Sequence, residues 1–190
     1  MPTSLPSSRL AWYALGRFWN ANEDGSQVFD AGYFAHLELE DGESFVPNHA
    51  AGPGAAHFTF FSEPFTITRL QNGPLSIAYD SVGIFSLFYQ RHPGADFTEP
   101  TSFAQGQRIA SFRRPFMVMT ERLGTLELTT FSAELIESMP FEHCGQTYNL
   151  RDILPNGVTQ WSVGTGSTSD DEPTFAGSAV AVGRAEMLPR

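Results

Sequence analysis

Two stretches, His57–Ile67 (HFTFFSEPFTI) and Leu75–Gln90 (LSIAYDSVGIFSLFYQ), sit on either side of Gln71-Asn-Gly-Pro74. Their side chains alternate, they hold few charges, and the residues between them have turn chemistry. Such a pair describes antiparallel strands with one dry face. Pro64 and Gly83 each interrupt a run, which predicts a bend or bulge in both strands. The aromatic surface exceeds what one sheet face needs, so the question becomes what that face encloses.

Working outward, strands are expected at Phe29–Glu40, Gln107–Thr120, Gly124–Ser138, Phe141–Leu150, Val158–Gly164 and Phe175–Met187, with turns at Asp41-Gly42 and His92–Ala95. Leu10–Trp19 reads as a short N-terminal helix, because Leu10, Tyr13, Leu15 and Phe18 can share a side and Asn20–Gly25 follows with turn residues. Ser44–Ala56, with two prolines and several small residues, reads as a loop long enough to cover an opening. The fold class is therefore all-β. An antiparallel up-and-down barrel of about eight strands removes exposed edges and has room for a small ligand. A flattened two-sheet sandwich is the alternative.

The 190 residues are expected to form one β-barrel domain. Seventeen are Phe, against five Tyr and three Trp. Phenylalanine brings apolar area with no polar atom to satisfy, which suits a cavity wall as well as a core. A formal charge of −10 opposes nucleic acid and anionic membrane surfaces and leaves a small apolar molecule as the expected partner, with a homo-oligomer open. The one cysteine, Cys144, permits no internal disulfide. It reads as a small core thiol, since neighbouring His143 should point to the other face. With no basic start and apolar run at the N-terminus, the expected location is cytoplasmic. Five scattered histidines match no metal-ligand spacing, so neither metal nor other cofactor is expected.

Leu15-Gly-Arg-Phe-Trp19 resembles the glycine-aromatic opening of lipocalin-like (calycin) barrels, with Phe18 standing where that family has tryptophan. The resemblance implies a short helix before the first strand and an aromatic closing one barrel end beneath a basic residue, for which Arg184 is the counterpart. The run of strands from Phe58 to Met119 is similar to allene oxide cyclase-like barrels. That likeness implies a cofactor-free enzyme with an aromatic cavity acting on a reactive lipid epoxide.

Alternation places His57, Thr59, Phe61, Glu63, Phe65 and Ile67 on one face. If Phe61 and Phe65 point inward, so do His57 and Glu63. A carboxyl group among phenylalanines has a raised pKa and can donate a proton near neutrality. The opposite register puts Glu63 in water. Glu134 is a second carboxylate on a partly apolar face, Asp80 a candidate base, and Tyr79 a candidate to orient a ligand oxygen. Phe61, Phe65, Ile77, Phe85 and Phe112 are the expected substrate walls. Arg108 and Arg114 share a face with Phe112, where one arginine can neutralise an inward carboxylate or hold an anionic ligand head; a solvated edge ended by Pro115 is the commoner arrangement. The expected activity is cofactor-independent isomerisation, cyclisation or lysis of a small apolar substrate, such as a terpenoid or lipid epoxide, by acid-base catalysis. The alternative is a non-catalytic binding protein for a similar ligand.

Overall fold

The computed structural model describes residues 9–39, 52–66, 68–73, 75–79, 83–120, 126–165 and 173–183. The strands are β1 (Leu10–Asn20), β2 (Val28–Leu37), β3 (Phe58–Ser62), β4 (Thr68–Asn72), β5 (Leu75–Tyr79), β6 (Ile84–Tyr89) and β7 (Gln107–Arg113). They continue with β8 (Phe116–Thr120), β9 (Leu126–Ser138), β10 (Phe141–His143), β11 (Gln146–Tyr148), β12 (Val158–Thr165) and β13 (Thr174–Ala181). A single helical turn, α1 (Leu150–Ile153), precedes β12.

Eight strands close antiparallel in the order β13-β1-β2-β3-β6-β7-β9-β12, and β12 pairs back to β13. This is the up-and-down barrel. Closure satisfies the backbone groups that an open sheet leaves at its edges. Beyond it, β4, β5 and β8 extend the sheet from the first half of β9. The expected long hairpin is thus present, but each arm is broken in two: β3 and β4 around Pro64, and β5 and β6 before Gly83. A third break, at Arg114-Pro115, lies between β7 and β8. The breaks lie side by side, for Arg114 N donates to Gly83 O at 3.1 Å. Gly83 has φ 109°, and a Cβ there would stand 2.9 Å from Phe65 Cβ.

Leu10–Trp19 is strand β1, not a helix. Its alternate residues Trp12, Ala14 and Gly16 are buried, while Tyr13 is exposed. The helical reading arose because both faces are apolar, which blurs a period of 2 into one near 3.6. Free strands on both flanks decide the outcome, since β2 and β13 each pair along β1. Phe141–Leu150 is likewise not one strand. Cys144, at φ 50°, and Gly145, at φ 80°, turn it into the small β10-β11 hairpin.

Gly16 and Gly32 face each other across β1 and β2. A Cβ on Gly32 would meet Leu15 O at 2.0 Å, and one on Gly16 would meet the Phe175 ring at 2.6 Å. Bare backbone at this pair lets the two strands coil tightly and lets the Phe175 and Phe60 rings lie over it.

The main core fills the barrel around Trp12, with Phe34 and Phe112 edge-on to its indole at centroid distances of 5.3 and 5.7 Å. Leu150, Ile153 and Leu154, in and after α1, add to that core at the end where β12 begins. A second cluster lies outside the barrel. There the 91–106 connection, with its helical turn at Pro100–Ala104, packs Ala95, Phe97 and Phe103 over Ala31, Tyr33 and Phe61. Thr59 Oγ1 donates to Phe103 O at 2.7 Å and Gln90 Nε2 to Ser102 O at 3.0 Å, fastening this cover to the sheet. Among the described residues, no helix is long and apolar enough to cross a membrane.

Candidate functional site in the barrel interior

Alternation along the closed strands sends Phe18 and Ala14 from β1, Phe34 and Asp30 from β2, Phe60 from β3 and Phe85 from β6 toward one cavity. Phe131 and Thr129 from β9, Gln160 and Ser162 from β12, and Phe175 from β13 complete its sides. The cavity has a volume of ≈ 60 Å³ and is open to solvent at one end. At ~10–15 Å³ per water it holds several waters, and a larger guest extends into the open end. Glu127, Thr165, Pro173 and Thr174 line the cavity where β9, β12 and β13 reach the end opposite α1.

Two charges sit inside. Arg114 and Asp30 are 3% and 4% exposed. Arg114 Nη1 donates to Asp30 Oδ2 at 2.8 Å, and Nη2 donates to Oδ1 at 3.2 Å. Asp30 N in turn donates to Ser62 Oγ at 2.8 Å. The strand break places the arginine. Arg113 points outward and pairs with Glu134 at 2.5 Å, so Arg114 points inward, and Pro115 ends the ladder beyond it. The guanidinium carbon lies 4.7 Å from the Phe65 ring centroid, 5.3 Å from Phe85 and 5.5 Å from Phe131. These rings favour a cation through their negative faces. Deeper in, Trp12 Nε1 donates to Gln160 Oε1 at 2.9 Å, so the buried indole is satisfied.

The expected acid-base residues do not gather here. In β3 the buried inward residues are Phe58, Phe60 and Ser62, which reverses the expected register. Glu63 is exposed. His57 packs on Tyr89 and donates from Nδ1 to Gln90 O at 2.8 Å, at the end where α1 sits. Phe61 belongs to the outer cluster under the 91–106 connection. Glu134 is on the outer face of β9, where Phe131, Ala133 and Leu135 take the inner one. Asp80 lies outside the described residues, as do the side chains of Ile77 and Tyr79, and Arg184. Phe65 and Phe85 do reach the site, and Phe112 stacks on Phe85 at 5.2 Å as part of the core behind it. Of the segment read as a cover, 44–51 lies outside the described residues.

Asp30 and Gln160 were not singled out from the sequence. The signal for Asp30 was a lone Asp within VFDAGYFAHL, whereas Arg114 stands in the pair Arg113-Arg114 after Phe112.

A second polar group lies outside the barrel at the α1 end. Tyr89 OH and His143 Nδ1 share a hydrogen bond at 3.3 Å, and Cys144 Sγ is 3.5 Å from His143 Nε2. Cys144 is exposed, not a core thiol, because the turn at φ 50° swings it to the side of its neighbour. Burial, and then the charge of nearby His57, hold His143 below the usual histidine range. Burial raises the Tyr89 hydroxyl. Among the described residues, no group of three or more His, Cys, Asp or Glu is placed to hold a metal ion.

No protein-family model matches the chain, and no curated protein and no solved structure is significantly similar to it.

Proposed function

We propose that this barrel binds a small, mainly apolar molecule in its interior. The carrying observation is the cavity, open at one end, walled by Phe18, Phe34, Phe60, Phe85, Phe131 and Phe175. Apolar walls of this kind draw in an apolar guest because burial removes its surface from water, at ~25 cal/mol for each Å². Kinship with calycin-like barrels is part of the proposal.

Binding is preferred to acid-base isomerisation because Asp30 has both oxygens engaged by Arg114, while Glu63 and Glu134 lie outside. An isomerase reading then turns on Glu127, the other carboxylate on the lining. It predicts turnover of a bound epoxide that Glu127→Gln removes, with binding retained.

Native mass spectrometry of freshly purified protein tests the main reading. A bound mass of a compact apolar molecule, released by organic extraction, is the expected result. Ser162→Phe, which puts a ring into the cavity, should lose that mass while far-UV circular dichroism stays that of a sheet. An empty protein that also takes up no added apolar probe would end the proposal. The same spectrum reports the oligomeric state.

A further inference from the structure

The mouth of the cavity holds a carboxylate that no cation among the described residues pairs with. Along β9, Leu126 and Leu128 are exposed outward, so Glu127 falls on the inner face with Thr129 and Phe131. Register then defines what stands next to it. Glu127 pairs with Gly164 of β12, and Gly164 pairs with Phe175 of β13. All three line the cavity, so a half-buried carboxylate and an aromatic ring flank one bare glycine. Strands lie ~4.8 Å apart, which leaves a slot between acid and ring as wide as one missing side chain. Among the described residues, the carboxylates held in ion pairs are Asp30, Glu38, Glu134 and Glu137, and not Glu127. Arg114 gives both terminal nitrogens to Asp30, and Arg17 lies on the outer face over the Phe97 ring at 4.5 Å. Glu23 and Asp24, in the turn from β1 to β2, and Glu63, just past β3, make this end of the barrel more acidic still.

Resting on the binding reading above, we infer that the guest is an amphipathic cation, with its apolar body among the phenylalanines and a protonated amine in the mouth at Glu127. A guest larger than the ≈ 60 Å³ interior reaches into the open end. There it covers Glu127 and strips water from the carboxylate. A neutral apolar end returns nothing for that lost hydration, and an anion adds repulsion. An ammonium returns both charge attraction and a charge-assisted hydrogen bond, and the face of Phe175 across Gly164 favours it further. Orientation follows from the second charge pair. Deeper in, Asp30 is already engaged by Arg114, so a cation driven inward would be buried without compensation. Held at the mouth, it keeps part of its hydration while the body is buried.

Toluene, benzyl alcohol, protonated benzylamine and benzoate share a ring and differ in what it carries: an apolar, a neutral polar, a cationic or an anionic group. Calorimetric titration of the full chain near neutral pH should rank the ammonium about fivefold tighter than the alcohol, and benzoate weakest. Salt at about 1 M, where the screening length is ~3 Å, should shrink that lead in the native chain. Glu127→Gln should bring ammonium and alcohol to the same affinity. Glu142→Gln removes an equal charge from the exposed side of β10 at the α1 end and should leave the ratio as it is. That control separates a local anchor from the general attraction of a chain at −10. An ammonium that binds the native chain no better than the alcohol, is indifferent to salt, or keeps its lead in Glu127→Gln ends the inference while the cavity reading stands. An equal loss of the lead in Glu142→Gln does the same. If none of the four binds, both readings fail together.

Discussion

Asp30 and Arg114 bring opposite charges into a cavity lined mostly by rings and small side chains, and each is costly there without the other. A buried pair of this kind adds little to stability compared with apolar residues of similar shape, yet breaking it is expensive. Urea unfolding should therefore show Asp30→Asn and Arg114→Met each losing ~3–5 kcal/mol, with the double variant recovering much of the loss. Simple addition of the two single losses would mean that the charges do not depend on each other. His143 gives a pH dependence of definite sign. Burial, and then the charge of His57, hold its folded-state pKa below the ordinary histidine value, so the unfolded chain takes up the proton first as pH falls. Its contribution is complete above the unfolded value and is lost as pH drops through the folded one. The urea midpoint should fall less between pH 7 and pH 5 in His143→Gln than in the native chain. Parallel curves for the two proteins would remove His143 from the acid response. Neither Asp30 nor the exposed Glu63 could be assigned a side from local pattern, because a one-residue shift in register exchanges every inward residue for its neighbour.

Among the strands, β1 and β2 show how a missing side chain shapes an element. The Gly16–Gly32 pair leaves room for close approach, and Phe175 and Phe60 occupy the space that two Cβ atoms would need. Gly32→Ala puts a carbon 2.0 Å from Leu15 O, so the strands must separate or the ring must leave. A loss of ~1–3 kcal/mol is expected from overpacking alone. Gly94→Ala is the control, since a Cβ there meets nothing within 4 Å, and its effect should stay within ~0.5 kcal/mol. Equal unfolding midpoints for the two variants would show that the glycine pair is not under this constraint. The paired strands around Gln71–Pro74 were legible because turn residues and alternation agreed, and Pro64 and Gly83 correctly marked their bends. The β1 segment was not, because apolar residues on both of its faces support two periodicities at once, and only its neighbours choose between them.

Across the molecule, the Phe-rich surface is divided between two uses. Phe34, Phe58 and Phe60 face the interior, while Phe61, Phe97 and Phe103 join the barrel wall to the 91–106 connection. That division is why the face of His57, Phe61 and Glu63 resembled a cavity wall: an outer cover makes an outward face as apolar as an inward one. Composition and alternation, which act between neighbours along the chain, were enough to establish an all-β fold rich in aromatic surface, with barrel favoured and a two-sheet sandwich still open. The inward side of each strand and the meeting of Asp30 with Arg114 across 84 positions of sequence arose only on closure. Pairing register and the packing of the connection over the sheet are set by contacts between distant segments, and no local pattern of side chains encodes them.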